Sequence, residues 1–179
     1  MKTPRTTWAG LIGAVALGLA QPAAAQDIQT VLAPKVALLE QAVTAGDYGK
    51  AFDVLPPRLL QSMSDRFGMS LEDLRRAVAE AGAAMLNEVQ DLSFAMHVDQ
   101  AARHVTPDGA RPYWLVPTET RMSVDGQTLR TTTQTLALEE DGEWYLIRVA
   151  DPTQVAMLRE TYPEFAGVEF PRGSVAAVP

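Results

Sequence analysis

Two Asp-Gly pairs, Asp125-Gly126 and Asp141-Gly142, constrain this chain more than any other feature. YWLVPTETRMSV precedes the first pair, QTLRTTTQTLALEE separates the two, and EWYLIRV follows the second. A two-residue hairpin loop of type I′ needs positive φ at both central residues, which Asp-Gly tolerates and most dipeptides do not. The stretch from Tyr113 to Val149 is therefore expected to be a three-stranded antiparallel meander.

Counting from the turns sets the register. Val124 falls opposite Gln127, so Met122 faces Leu129, Thr120 faces Thr131 and Thr118 faces Thr133. Glu140 falls opposite Glu143, so Leu138 faces Tyr145, Leu136 faces Ile147 and Gln134 faces Val149. One face carries Tyr113, Leu115, Leu136, Leu138, Tyr145, Ile147 and Val149, with Glu119, Arg121, Arg130 and Thr132 at its polar end. Its larger apolar area predicts that helices cover it. The opposite face carries Trp114, Val116, Ala137, Trp144 and Leu146 with Thr118, Thr120, Thr131, Thr133, Thr135, Glu139 and Arg148. That mixture predicts a half-exposed surface whose threonines reflect β-propensity.

Helical periodicity dominates before the meander. Ile28 to Val43 repeats apolar residues at three- and four-residue spacing, and Pro34 either opens a helix starting near Ala33 or kinks a longer one. Asp47 is placed to cap a short helix carrying Phe52. Pro56-Pro57 opens another that ends before Gly68. Ser70 and Asp73 form a capping box for a helix to about Asn87, whose stripe of Leu71, Leu74, Val78, Ala81 and Met85 reads as core. Leu92, Phe94, Met96 and Val98 alternate as in a first strand, and Asp99 to Ala110 reads as a polar connection. Asp151-Pro152 starts a short helix to about Thr161. The fold class is α+β, with N-terminal helices packed on a curved antiparallel sheet of about four strands and a short C-terminal helix.

Lys2 and Arg5, the apolar run Trp8 to Ala20, Pro22 and Ala23-Ala24-Ala25 have the pattern of an export signal cleaved after Ala25. The run is too short to span a bilayer, so no stable membrane insertion is expected after cleavage. Residues 1–25 form the signal, 26–166 a single domain and 167–179 an extended tail. No cysteine is present, which removes disulfides, thiol chemistry and lipid attachment through cysteine. The single asparagine, Asn87, is followed by Glu88-Val89, so no glycosylation sequon exists. Periplasmic localisation, or secretion, follows as the expectation. Removing Lys2 and Arg5 from 15 basic residues leaves 13 against 22 acidic ones, a net charge of −9. An acidic, unclustered surface repels phosphate backbones, so nucleic acid is not expected as a partner.

GDYGKAFDVLPPRLL, a further helix, a strand, two hairpins and the final DGEWYLIRV together resemble the nuclear-transport-factor-like superfamily. The resemblance spans about Gly46 to Val149 and is one of pattern. It implies a cystatin-like cone, in which a curved antiparallel sheet wraps helices around a pocket. It also implies a choice between cofactor-independent enzymes, such as isomerases, cyclases and hydrolases, and non-catalytic binding domains; fold alone does not decide between them.

No phosphate-binding loop, dinucleotide fingerprint or nucleophile elbow occurs. His97 and His104 are more widely spaced than metal ligands usually are, and no metal or cofactor is expected. Glu119 with Tyr113 or Tyr145 is the one acid–base set on the face expected to be helix-covered, but Arg121 and Arg130 beside Glu119 favour its charged form, unlike a strong base. Arg121 directly opposite Arg130 is a like-charge pair that an anion would relieve. Glu119, Arg121, Arg130, Tyr113 and Tyr145 are thus the expected ligand site, and Trp114, Trp144 and Arg148 the expected partner surface. The leading expectation is a non-catalytic domain binding a small molecule or an envelope protein. A cofactor-independent enzyme is the alternative, and homodimerisation through the tryptophan face a third reading.

Overall fold

The computed structural model describes residues 27–86 and 89–178; the expected signal at 1–25 lies outside them. The order of elements is α1 (Ile28–Thr44), α2 (Pro57–Phe67), α3 (Leu71–Leu86), β1 (Gln90–Met96), β2 (Ala102–Val105), β3 (Pro112–Val124), β4 (Gln127–Glu140), β5 (Glu143–Arg148), α4 (Pro152–Thr161) and β6 (Ser174–Val178). Short 3-10 turns occur at Lys50–Val54, Val98–Gln100 and Pro163–Phe165.

Both Asp-Gly pairs adopt positive φ at each residue, 52° and 76° at Asp125-Gly126 and 53° and 82° at Asp141-Gly142. The register counted from them is present. It runs from Val124 with Gln127 to Thr118 with Thr133, and from Glu140 with Glu143 to Leu136 with Ile147. The Val149 N–H continues it by donating to the Gln134 carbonyl at 3.2 Å.

The antiparallel sheet curls into a half-barrel four strand positions wide. β1 and β2 share one edge, pairing with successive halves of β3, while β5 and β6 share the other along β4. β2 lies within the expected polar connection and β6 within the expected tail. The long inner strands explain both additions, because a half of β3 or β4 without a neighbour would leave its backbone groups unpaired.

Helix ends follow their local chemistry. Asp27 caps α1 by accepting the Gln29 N–H at 3.2 Å, and Pro34 lies inside that longer helix. The Ser70 hydroxyl accepts the Asp73 N–H at 3.1 Å and donates to the Asp73 carboxylate at 2.7 Å. Asp151 accepts the Thr153 and Gln154 N–H groups at 2.9 and 3.1 Å, starting α4.

Helices cover both faces of the sheet, not one. Leu59 of α2, Leu158 of α4, Tyr162 and Phe165 pack on Leu115, Leu136, Leu138 and Ile147, as expected of that face. On the opposite face, Leu32 and Val36 of α1 and Val54 pack on Val116, Ala137 and Leu146. The second face, expected to be half exposed, is buried along its centre at Val116, Thr118, Thr133, Thr135, Ala137 and Leu146, while Glu139 and Arg148 on it are exposed. Leu136, Ala137 and Leu138 are consecutive and all fully buried, the pattern of a strand covered on both sides. Trp114 and Trp144 are half-buried against the second cluster.

One buried carboxylate joins the first helical layer to the sheet. Glu140 accepts the Tyr162 hydroxyl at 2.6 Å and the Arg58 N–H, in the first turn of α2, at 3.2 Å. The guanidinium groups of Arg58 and Arg111 lie 4.7 and 5.3 Å from the centre of the Tyr162 ring. Burial and the Glu140 hydrogen bond push the Tyr162 phenol far above its ordinary pKa.

Candidate functional site

The helix α3 is the element that makes a site. Its expected core stripe is only partly covered: Leu74 is buried, but Leu71 and Met85 are 41 % and 44 % exposed. Two sets of contacts anchor the helix on the segment 48–53. At its N-terminal half, Arg75 pairs with Asp53 at 2.8 Å, donates to the Gly49 carbonyl at 2.7 Å and lies over the Phe52 ring at 5.6 Å. At its C-terminal half, Gly82 accommodates the Tyr48 ring so closely that an added Cβ would fall 2.1 Å from Tyr48 Cδ2. Between these anchors α3 bridges a cavity instead of filling it.

That cavity has a volume of about 290 Å³. Leu39 and Val43 of α1, with Phe52, Val54 and Leu55, form one wall, and Val78 and Met85 of α3 another. Leu92 and Phe94 of β1, Met122 of β3 and Leu146 of β5 add apolar surface from the sheet. Thr118, Thr120, Thr131 and Thr135 contribute from β3 and β4. Thr118 and Thr135 are buried, and their hydroxyls bond each other at 2.9 Å, with Thr118 also donating to the Val116 carbonyl at 3.1 Å. Thr118, Thr120, Thr131 and Thr135 of the threonine-rich face are therefore part of a cavity wall.

Tyr48 and Arg148 are the titratable side chains of the lining among the described residues, which contribute no aspartate, glutamate or histidine to it. Burial raises the Tyr48 pKa, and the nearby Arg148 charge pulls it the other way. Arg148 is exposed and makes no ion pair or side-chain hydrogen bond among the described residues, which sets it at the rim with a free guanidinium. A larger groove of about 740 Å³ lies between α4 and residues 169–173. It is more open, and its Arg159 is already engaged by the carbonyls of Phe165 and Val168.

Neither a family model, nor a curated protein, nor a solved structure matches this chain.

The residues expected to bind a ligand lie elsewhere. Glu119 and Arg121 pair at 2.7 Å, and Arg121 sits opposite Arg130 as counted. The two arginines are exposed, and the cluster is on the sheet face away from the cavity. Tyr113 is buried in the first core, with His104 stacked at 5.4 Å and Phe165 edge-on at 5.2 Å. Tyr145 lies beneath the Lys35 ammonium at 4.9 Å. None of these five lines the cavity. Of the three residues assigned to a partner surface, Trp114 and Trp144 pack half-buried against the second core cluster, and Arg148 alone reaches the cavity. Among the described residues, no group of three or more His, Cys, Asp or Glu side chains is placed to hold a metal ion, and no helix is long and apolar enough to cross a membrane.

Tyr48, Val78, Met85, Leu92 and Phe94 were not identified as site residues from sequence. The signal that could have found them is the run Ala77, Ala79, Ala81, Gly82, Ala83 and Ala84 in α3. A helix this poor in large side chains cannot fill the space beneath it.

Proposed function

We propose that this chain is an exported, non-catalytic binding domain that holds a small, mainly apolar molecule between α3 and the sheet. The observation that carries the reading is the composition of the cavity. Its walls are aliphatic and aromatic, with a few threonines and one rim charge, the make-up of a small-molecule pocket near the lower end of the usual size range of about 300–1,000 Å³. Acid–base chemistry calls for a poised carboxylate or imidazole within reach of substrate. Tyr48, with its raised pKa, is a neutral hydrogen-bond donor at neutral pH and not a base. Periplasmic export rests on the basic, apolar and small-residue pattern of residues 1–25. Helices layered on a curled antiparallel sheet with a cavity between them also support the nuclear-transport-factor-like resemblance.

The test is titration with a neutral apolar probe, 1-octanol, followed by calorimetry. The wild-type domain is expected to bind it, and Val78→Phe, which projects a ring into the cavity, is expected to abolish binding while preserving the far-UV circular dichroism spectrum. Equal binding by both proteins would place the probe elsewhere and remove the reading.

A further inference from the structure

Resting on that reading, we propose that the cavity is selective for an amphiphilic monocarboxylate, with the apolar part under α3 and the carboxylate held at the rim by Arg148 and Tyr48.

Charge placement carries the inference. The expected mature chain has a net charge of −9, so its overall field repels anions. Several cations on the described surface are held in ion pairs: Lys50 with Asp47, Arg66 with Glu160, Arg75 with Asp53, Arg111 with Glu164 and Arg121 with Glu119. Arg76 pairs with Asp73. Among the described residues, Arg148 shares the lack of an ion pair with Lys35, Arg58, Arg103, Arg130, Arg159 and Arg172, but it is the one cation lining the apolar cavity. A planar guanidinium can meet a carboxylate through two parallel hydrogen bonds. The neighbouring Tyr48 hydroxyl remains a donor at neutral pH.

The number of charges and the size of the space narrow the ligand further. One rim cation balances one negative charge. A dianionic phosphate monoester would bring a second charge against an acidic protein with no second cation among the described lining residues to meet it. At ~30 Å³ for each water-sized group, the cavity has room for roughly ten heavy atoms. That suits a short acyl chain or a compact bicyclic acid better than a full-length lipid tail. An acyl group esterified in a lipid or attached to a protein lacks the free carboxylate, so a neutral head on the same chain separates the two sources.

The experiment compares octanoate, 1-octanol, methyl octanoate and octylammonium on the whole exported domain by calorimetry at low ionic strength. Octanoate is expected to bind about tenfold more tightly than either neutral ligand, a difference of about 1.4 kcal/mol, and octylammonium more weakly than both. Arg148→Met retains an apolar stem and is expected to remove the preference for octanoate over 1-octanol. Arg121→Ala with Arg130→Ala, on the opposite face, is expected to preserve the preference. Added salt should narrow the gap between octanoate and 1-octanol, because the guanidinium is exposed at the rim.

Equal affinity of the wild-type domain for octanoate and the neutral ligands would overturn the carboxylate assignment and leave the apolar site standing. Methyl octanoate binding more tightly than octanoate would overturn it in favour of an esterified chain. No binding of any of the four would overturn both readings. The wild-type comparison decides the assignment even if Arg148→Met fails to fold.

Discussion

Gly82→Ala probes the seat of α3 more sharply than any truncation, because two known effects of opposite sign meet at one atom. In the interior of an unobstructed helix, glycine to alanine stabilises by about 0.8–1 kcal/mol. Here the added Cβ would lie 2.1 Å from Cδ2, 2.8 Å from Cγ and 3.0 Å from Cε2 of Tyr48. All three atoms belong to a rigid ring, so the ring or the helix must move. Overpacking of this kind costs about 1–3 kcal/mol. The net expectation is a loss of about 0–2 kcal/mol in the wild-type background. In a Tyr48→Ala background the obstruction is gone, and the same substitution should stabilise by about 1 kcal/mol. The two sites are then coupled by about 1–3 kcal/mol. Urea unfolding followed by far-UV circular dichroism gives the four stabilities from midpoints at constant slope. A Gly82→Ala variant that gains the same stability in both backgrounds would show that Tyr48 does not seat α3.

Tyr162→Phe removes the hydroxyl from Glu140, leaving a buried carboxylate with the Arg58 N–H alone, and is expected to cost about 1.5–3 kcal/mol at pH 7. The raised Tyr162 pKa fixes the sign of a pH effect: as pH rises past about 10 the unfolded tyrosine ionises while the folded one keeps its proton, so stability falls. Chemical denaturation between pH 9 and 11, a range spanning the ordinary tyrosine pKa of about 10, should show a shallower decline in Tyr162→Phe than in wild type. Arg75→Ala releases the N-terminal anchor of α3, and hydrogen–deuterium exchange should quicken in Leu71–Leu86 with little change in β3 and β4. Gly126→Ala meets no atom within 4 Å but requires alanine at φ +76°, so calorimetric melting should report a loss of about 1–2 kcal/mol from backbone strain alone.

The meander was legible because its information is local. Asp125-Gly126 and Asp141-Gly142 specify both turns, and alternation then assigns each side chain between Tyr113 and Val149 to a face. The caps at Ser70 and Asp151 and the helix stop at Gly68 were legible for the same reason. What lies over each face is not local. Apolar area singled out the Leu136–Leu138–Ile147 face, and helices do cover it, but Val116, Ala137 and Leu146 bury equally well beneath α1. An alternating strand does not reveal that both its faces are roofed. The site moved with that second layer. Glu119, Arg121 and Arg130 form a charged cluster on a face whose composition predicts enclosure, yet the enclosed space lies behind Thr118, Thr120 and Thr131. The α3 stripe departs from its expected core role for a related reason: periodicity gives the direction of Val78 and Met85, not the distance to what they face.

Methyl chemical-shift mapping during a 1-octanol titration tests the cavity most directly. The expected result is saturable shifts at Leu39, Val43, Val78, Met85 and Leu92, with Leu59, Leu136 and Leu158 of the other layer unmoved. Shifts confined to Leu59, Leu136 and Leu158, or no saturable shift at any methyl, would contradict a binding site between α3 and the sheet.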